Sequence, residues 1–361
     1  MPAPADWIRA TVRAVPPYTP GEQPPAGRRV IKLNTNENPY PPSPAVLAAL
    51  HEAVDARVRL YPDPEAVALR TEASRLYGVP VDAIMAGNGS DELLALLLRA
   101  IVDPGDRVAF PVPTYSLYET LVAVQGGVVD PVAWPPDWSL PPDLAARGAK
   151  LTFLCNPNSP SGTLVPLEQV DALAARLAGV LVVDEAYVDF APATALGLVG
   201  RRDNVVVLRT LSKSYSLAGL RVGLAFGAPE LLRGLRTVKD SYNLNRLSQA
   251  AATAALADQA TVRANLARVA RTRTRLIEAL RALGYLVPES HANFVLARRP
   301  GADQAPLARA LAERGILVRH FTSHGLGDAL RITVGTDDEI DALLAAMRTI
   351  APETEISPLR R

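Results

Sequence analysis

Lys213 is the residue of this sequence whose type and surroundings most directly suggest chemistry. Apolar runs at 205–208 and 222–226 are typical of buried strands, and the hydroxyl residues Thr210 and Ser212 come just before the lysine. A lysine in such a setting is poorly solvated, which lowers the pKa of its amine and makes it a nucleophile able to form a Schiff base. The alternative is a lysine at a strand end that points into water.

Further polar and aromatic residues follow other predicted strands. In parallel sheets covered by helices, ligands bind beyond the carboxyl ends of the strands. The pattern therefore predicts one site at this edge of the sheet. Its candidate residues are Gly89, Ser90, Asp91, Tyr115, Asn158, Ser159, Asp184, Tyr187, Ser212 and Lys213.

Three of these side chains, and Arg221 as well, have both a chemical and a structural interpretation. Asp184 could keep a pyridinium nitrogen protonated, or it could cap a helix or pair with an arginine. Tyr187 could donate to a phenolate-like oxygen and Tyr115 could stack on a ring, but both could simply fill the core. Arg221, eight residues after Lys213, could hold a phosphate or lie exposed in water.

The turn at 87–90 precedes a predicted helix at 91–101. Gly89 would allow an anion to approach the free backbone N–H groups of the first helical turn, which favours a phosphate site. An ordinary strand–turn–helix connection has the same pattern, and it is the commoner structure.

Predicted strands and helices alternate along most of the chain, which indicates an α/β fold with a mostly parallel sheet covered on both sides. A helical stretch at 246–281, one helix or two, then leads to a smaller α/β unit. Helices are expected at 7–12, 44–58, 65–77, 91–101, 116–125, 167–178, 305–314 and 337–349. Extended segments are expected at 31–38, 84–90, 108–110, 128–132, 151–155, 180–183, 205–208, 285–287, 293–297, 316–319 and 329–334.

The composition is that of a globular enzyme. The 361 residues are 48% hydrophobic and 21% charged, with a net charge of +1, so no nucleic-acid partner is indicated. The single cysteine, Cys155, excludes an internal disulfide. The N-terminus lacks the apolar core of a signal peptide, and no window holds 18 uninterrupted apolar residues. We therefore expect a cytoplasmic protein with no membrane partner.

Three rival sites are disfavoured by motifs that are missing. A nucleoside triphosphatase needs a lysine after a glycine in its phosphate loop, and none of the four lysines follows a glycine. The Gly87-Asn88-Gly89 turn lacks the third glycine of a dinucleotide-binding loop. His320 and His324 have helical spacing, but nearby glycines disfavour a helix there, so no metal site is predicted.

The motifs together resemble the fold-type I pyridoxal-phosphate aminotransferases of class II, and most nearly the histidinol-phosphate aminotransferase family. The resemblance covers nearly the whole chain, and its motifs occur in family order. They are LNTNENPY at 33–40, YPDP at 61–64, GNGSDELL at 87–94, PTY at 113–115, NPNSPSG at 156–162, DEAY at 184–187, TLSKSYSLAGLRVG at 210–223 and LRITVG at 330–335.

The resemblance implies a role for each matching residue. Lys213 would bind pyridoxal 5'-phosphate covalently and move the proton, Asp184 would hold the pyridinium nitrogen, and Tyr187 would face the ring hydroxyl. Tyr115 would stack on the ring. The phosphate would be held by Gly89, Ser90, Asp91, Thr210, Ser212 and Arg221. Tyr61 would reach the phosphate in the partner subunit of a homodimer. The substrate would be bound by Tyr18, Asn36, Arg319 and Arg331.

One position departs from the family pattern. The family has asparagine before Pro-Thr-Gly, where this chain has Ser159 before Pro160-Ser161-Gly162. Either the shorter Ser159 contacts the ring oxygen through a shifted loop, or Asn158 takes over the contact.

The resemblance also implies a domain division and an activity. The fold would be that of a fold-type I transferase, with a seven-stranded, mostly parallel sheet in a large domain (41–246). An N-terminal arm (1–40) would join the small α/β domain (247–361). The expected reaction is transamination between L-histidinol phosphate and 2-oxoglutarate, in histidine biosynthesis. The alternatives are an aromatic amino-acid aminotransferase, a phosphothreonine decarboxylase, and a non-catalytic cofactor-binding sensor, which the neutral charge and short N-terminal arm disfavour.

Overall fold

The structure is a computed structural model that describes residues 3–16, 21–24, 27 and 30–354. Its strands are β1 (Ile31–Leu33), β2 (Ile84–Gly87), β3 (Arg107–Val112), β4 (Val128–Ala133), β5 (Leu151–Cys155), β6 (Val180–Asp184), β7 (Val205–Thr210), β8 (Gly223–Gly227), β9 (Phe294–Arg298), β10 (Ile316–His320) and β11 (Ala329–Thr333). Its α-helices are α1 (Ala10–Arg13), α2 (Pro44–Ala53), α3 (Val67–Tyr77), α4 (Ser90–Ile101), α5 (Leu117–Gln125), α6 (Leu167–Arg176), α7 (Pro229–Val238), α8 (Arg246–Ala257), α9 (Gln259–Ala282), α10 (Ala305–Glu313) and α11 (Asp337–Thr354).

The larger sheet has the strand order β2-β8-β7-β6-β5-β3-β4 within the described chain. The strands β7, β6, β5, β3 and β4 are paired in parallel, while β8 runs antiparallel to both of its neighbours. Every residue of β5 and β7 is buried, because apolar clusters cover both faces of the sheet. The predicted seven-stranded, mostly parallel sheet is therefore confirmed.

The smaller sheet has the order β1-β10-β11-β9. Strand β1 from the N-terminal part of the chain pairs in parallel with β10, so that Ile31 lies opposite Ile316. Strands β10, β11 and β9 are antiparallel to one another. Helices α9, α10 and α11 contribute to the apolar cluster that covers this sheet.

Several predicted elements have other bounds in the structure. The helix expected at 44–58 ends at Ala53, because the Asp55 side chain accepts from the Arg57 N–H and begins a separate short turn. The strand expected at 285–287 is only an isolated bridge between Leu286 and Arg298, where Pro288 lacks the N–H to continue.

Helix α7 was not anticipated. The predicted stretch 246–281 is two helices, because the Asp258 side chain accepts from the Thr261 N–H at the start of α9. Within the described residues, no helix is long and apolar enough to cross a membrane.

Candidate active site

A cavity of about 290 Å³ lies at the carboxyl edge of the larger sheet and is bordered by residues of the smaller one. It brings together most of the residues singled out from the sequence. They are Asn36, Ser90, Asp91, Tyr115, Ser159, Asp184, Tyr187, Thr210, Ser212, Lys213, Arg221, Arg319 and Arg331.

Lys213 lies half-buried in the turn that follows β7. Its Nζ donates to the carbonyl oxygen of Thr35 at 3.2 Å, and Asn38 Nδ2 donates to the carbonyl oxygen of Lys213 itself at 3.0 Å. Burial and, secondarily, the Arg331 guanidinium lower the pKa of Lys213 to about 8. A substantial fraction of the amine is therefore neutral near pH 8 and can act as a nucleophile or a base.

Asp184 is the last residue of β6 and is buried in the cavity wall. Its Oδ2 accepts from the Tyr118 hydroxyl at 2.6 Å, and its Oδ1 accepts from the Ala186 N–H at 3.2 Å. No ion pair in the described chain involves this carboxyl group. Burial raises the pKa of Asp184 to about 6. Asp184 thus presents a carboxylate with only neutral donors, which suits a cationic partner in the cavity.

Tyr187 is held at the cavity wall by a hydrogen bond and a ring contact. Its hydroxyl accepts from Asn36 Nδ2 at 3.0 Å, and its ring meets Phe294 edge-on at 4.9 Å. Burial raises the pKa of Tyr187 to about 12, so the phenol stays protonated at neutral pH. Asn36 has a left-handed backbone (φ 56°) and is fixed by bonds with Thr333.

The start of α4 forms an anion seat with Arg221. Gly89 has φ +85°, and a Cβ there would lie 2.5 Å from Arg221 Nη2. A Cβ on Gly223 would lie 2.6 Å from the Ser90 backbone nitrogen. Gly89 therefore allows the guanidinium, and Gly223 the start of β8, to approach the helix N-terminus closely. Arg221, which has φ 52°, pairs with Asp91 at 3.0 Å.

Hydroxyl groups complete this seat. Thr210 Oγ1 donates to Ser212 Oγ at 2.9 Å and accepts from the Ser212 backbone N–H at 3.2 Å. The Tyr115 hydroxyl donates to Asp91 Oδ1 at 3.1 Å. Backbone N–H groups, hydroxyls and one guanidinium are the donor set that a phosphate monoester requires.

The loop after β5 distinguishes the two candidates for the ring-oxygen contact. Asn158 uses its amide within the loop: Oδ1 accepts from Thr114 Oγ1 at 3.0 Å, and Nδ2 donates to the Pro113 oxygen and to Ser161 Oγ. Ser159 lines the cavity and its Oγ accepts from Arg331 Nη1 at 3.3 Å. This geometry favours Ser159 over Asn158.

Arg319 and Arg331 both line the cavity from the smaller sheet. Arg331 Nη2 donates to the backbone carbonyl oxygen of Asn34 at 2.9 Å, and the Arg331 guanidinium lies 5.7 Å from the ring centroid of Phe321. Arg319 lies 5.8 Å from the same ring. Two guanidinium groups therefore face one part of the cavity.

Gly89, Asn158 and Tyr61 are predicted site residues that do not line the cavity. Tyr61 is 79% exposed, stacks on Tyr242 at 4.3 Å and does not line the cavity. Tyr18 lies outside the described residues.

The sequence did not single out Thr35, Asn38, Tyr118 or Phe321 as functional residues. Thr35 and Asn38 fall within the motif at 33–40, which was the available signal for them. Tyr118 lies three residues after Tyr115, a helical spacing that places both side chains toward one face. Phe321 follows β10 directly but carried no sequence signal.

The larger sheet carries a buried amine and a buried carboxylate at its carboxyl edge, and the smaller sheet closes the cavity. This arrangement defines a fold-type I pyridoxal-phosphate transferase. Residues 28–347 match the model of the family "Aminotransferase class I and II". The chain belongs to this family.

Named relatives are similar over almost the full chain. A protein of Nostoc sp. (strain PCC 7120) named histidinol-phosphate aminotransferase 1 is 48% identical over 96% of this chain and 98% of its own. A histidinol-phosphate aminotransferase of Geotalea uraniireducens is 46% identical over 95% and 99%. The crystal structure of histidinol-phosphate aminotransferase from Sinorhizobium meliloti in complex with pyridoxal-5'-phosphate is 30% identical, with a TM-score of 0.88 over 96% of this chain and 98% of that one.

Proposed function

We propose that this protein transfers an amino group between L-histidinol phosphate and 2-oxoglutarate, with pyridoxal 5'-phosphate as cofactor, in histidine biosynthesis. The names of the full-length relatives support the reaction. The observation that carries the substrate is the pair of guanidinium groups of Arg319 and Arg331 in the cavity that holds Lys213. Two such groups suit a phosphate dianion.

The residues present fit the proposed cofactor. The buried Asp184 carboxylate has only neutral donors and would pair with a protonated ring nitrogen. The seat at Gly89, where a Cβ would collide with Arg221, suits a phosphate. The cofactor would be held by Ser90, Asp91, Tyr115, Ser159, Asp184, Tyr187, Thr210, Ser212, Lys213 and Arg221.

Pyridoxal phosphate, when bound, supplies an electron-withdrawing ring that stabilises negative charge next to the amino group being transferred. Lys213 would hold the cofactor covalently. Its amine, with a pKa of about 8, is also suited to take a proton from the substrate carbon and return it. Tyr187 would donate its phenolic proton to the ring oxygen, assisted by Asn36.

Arg319 and Arg331 would let one pocket accept two different amino donors. Glutamate carries two carboxylates, whereas histidinol phosphate lacks an α-carboxylate and presents a phosphate. A guanidinium binds either group with two parallel hydrogen bonds. Asn36 would complete the pocket through its contacts with Tyr187 and Thr333. The same proposal assigns a role to Tyr18 in the substrate's anion site.

The proposed assembly is a homodimer in which Tyr61 reaches the phosphate of the partner's cofactor. Its support is the exposure of Tyr61 among other exposed apolar side chains: Val54, Val58, Leu60, Val67 and Tyr242. We further propose residues 41–246 as the large domain, residues 1–40 and 247–361 as the small one, and a cytoplasmic location. The pairing of β1 with β10 supports the assignment of the N-terminal residues to the small domain.

The test compares histidinol phosphate, phenylalanine and phosphothreonine as substrates of the purified protein loaded with pyridoxal phosphate, with kcat/KM as the measured quantity. Histidinol phosphate should be preferred over phenylalanine, with 2-oxoglutarate as acceptor. A preference for phenylalanine would make the protein an aromatic aminotransferase. Release of carbon dioxide from phosphothreonine would make it a decarboxylase, and binding without turnover would make it a sensor.

A further inference from the structure

Asp184 depends on one neighbouring side chain, Tyr118, for its orientation. Of the two carboxylate oxygens, Oδ1 accepts from a backbone N–H of the adjoining turn, at 3.2 Å. The shorter contact, 2.6 Å, is the one that Oδ2 accepts from the Tyr118 hydroxyl. Tyr118 lies 66 residues away in the sequence, on α5, so this bond ties the carboxylate to a different element of the fold.

Tyr118 is itself rigidly packed. Its side chain is fully buried and stacks on Phe153, with centroids 4.6 Å apart and an angle of 15°. The rings of Phe110 and Tyr115 meet it edge-on at 5.8 Å and 5.6 Å. Packing against three rings restricts the movement of the Tyr118 side chain and holds its hydroxyl beside Asp184.

The pKa of Tyr118 is raised well above its usual value by burial, so the phenol remains a neutral donor at working pH. Its bond to Asp184 lowers the pKa of the carboxyl group against the larger, opposite effect of burial. The other titratable groups that affect or face Asp184 are Asp91, Cys155 and Tyr187, and the cations Lys213 and Arg221 line the same cavity.

We propose that Tyr118 is a positioning residue for the cofactor: by donating to Oδ2 of Asp184, it fixes the carboxylate in the cavity wall and keeps it ionised toward the ring nitrogen. The proposal rests on the proposed function, because it requires pyridoxal phosphate as the ligand. Tyr118 does not line the cavity and acts only through Asp184. The segment from Tyr115 into α5 then supplies two parts of the site, the ring of Tyr115 and the hydroxyl that donates to Asp184.

The test measures the Kd of the cofactor-free protein for pyridoxal phosphate between pH 5.5 and 8.5. Tyr118→Phe should keep the ring packing and raise Kd about tenfold near pH 6, as expected when a hydrogen bond to a charged group is lost. The defect should shrink toward pH 8.5, where Asp184 ionises even without the bond. The matched control is Tyr285→Phe. Tyr285 is also buried, its hydroxyl donates to Gln304 at 3.2 Å, and it does not line the cavity.

Two further measurements separate this role from packing. An analogue with carbon in place of the ring nitrogen, 1-deazapyridoxal 5'-phosphate, should bind wild type and Tyr118→Phe equally. In a double-mutant cycle, Tyr118→Phe should add nothing to Asp184→Asn. The proposal would be overturned if Tyr118→Phe weakened the binding of pyridoxal phosphate and of its deaza analogue equally. Additive effects of the two substitutions, or an unchanged pH profile of Kd, would also overturn it.

If Tyr118→Phe does not fold, 3-fluorotyrosine at position 118 provides a stronger donor and should shift the pH profile of Kd downward. No shift would overturn the proposal. A wild-type protein that does not bind pyridoxal phosphate would instead overturn the proposed function, so the two failures are distinguishable.

Discussion

Arg319 and Arg331 lie directly opposite each other on the antiparallel strands β10 and β11, and both side chains line the cavity. Like charges at opposed positions of a sheet destabilise it. An anionic substrate bound between the two guanidinium groups would reduce this repulsion.

Removing either guanidinium should therefore have a substrate-dependent effect. We expect Arg331→Ala to lower kcat/KM for both histidinol phosphate and glutamate about ten- to a hundredfold, because both donors use it. Arg319→Ala should weaken histidinol phosphate more than phenylalanine. The control is Arg298→Ala on β9, which removes a guanidinium paired with Asp328 outside the cavity. A wild type that prefers phenylalanine, with unchanged ratios in Arg319→Ala, would contradict the substrate assignment.

Covalent capture of pyridoxal phosphate should depend on the protonation of Lys213. Because the pKa of Lys213 is lowered to about 8, the rate of capture should rise as pH increases through about 8, where the amine loses its proton. Stopped-flow absorbance measures this rate, and borohydride reduction followed by peptide mass analysis locates the label. Lys213→Ala should bind the cofactor only reversibly. Lys150→Ala, which removes an exposed lysine paired with Asp106, should behave as wild type; label on any other lysine would refute the assignment.

Asp184 should reduce the stability of the cofactor-free protein. Its pKa is raised from 3.8 to about 6, so its ionisation costs no stability below about pH 4, and the cost grows between about pH 4 and pH 6 and is complete above about pH 6. A rise in pKa from 3.8 to about 6 corresponds to about 3 kcal/mol at most. Asp184→Asn should therefore raise the free energy of unfolding above pH 7 by up to this amount, and not at pH 4, while lowering turnover at least about a hundredfold. Denaturant unfolding at both pH values checks the first effect; equal stability at pH 8 would refute the cost of ionisation.

Asn158 and Ser159 should respond differently to the same substitution. Asn158→Ala removes three loop hydrogen bonds and should cost about 2–3 kcal/mol of stability. Ser159→Ala should leave stability nearly unchanged but shift the pH titration of the bound cofactor's absorbance, since Ser159 lines the cavity. The reverse ranking would return the ring-oxygen contact to Asn158.

Tyr61 offers a complementation test of the dimer. Lys213→Ala and Tyr61→Ala proteins should each be weakly active. If each Tyr61 serves the partner's site, a hybrid dimer has one site with both changes and one intact site. Unfolding and refolding the two together should restore about one quarter of wild-type activity, because half of the dimers are hybrids with one good site each. No recovery would show that Tyr61 does not act across the interface.

The sequence predicted most of the elements and the edge of the sheet where the candidate site lies, but not helix α7 or the contacts that set the chemistry of the site. Buried strands such as β7 are recognisable because their apolar residues run together, here at 205–208, and Lys213 lies in the turn that follows the strand. The bond between Tyr118 and Asp184 depends on how α5 packs on β6, which no local pattern encodes. The contact of Lys213 with Thr35 joins residues 178 apart for the same reason. The choice between Asn158 and Ser159 required the path of one loop.

The pairing of Ile31 with Ile316 gives the chain a particular order of assembly during synthesis. A strand made early must remain without its partner until almost 90% of the chain has left the ribosome. Contacts this distant in sequence slow folding and leave strand edges exposed to aggregation. The Lys213 turn, held by Thr35 and Asn38 from the segment after β1, would then acquire its final geometry only when the C-terminal strands arrive. A chain interrupted before β10 could build its larger sheet and still have no working site.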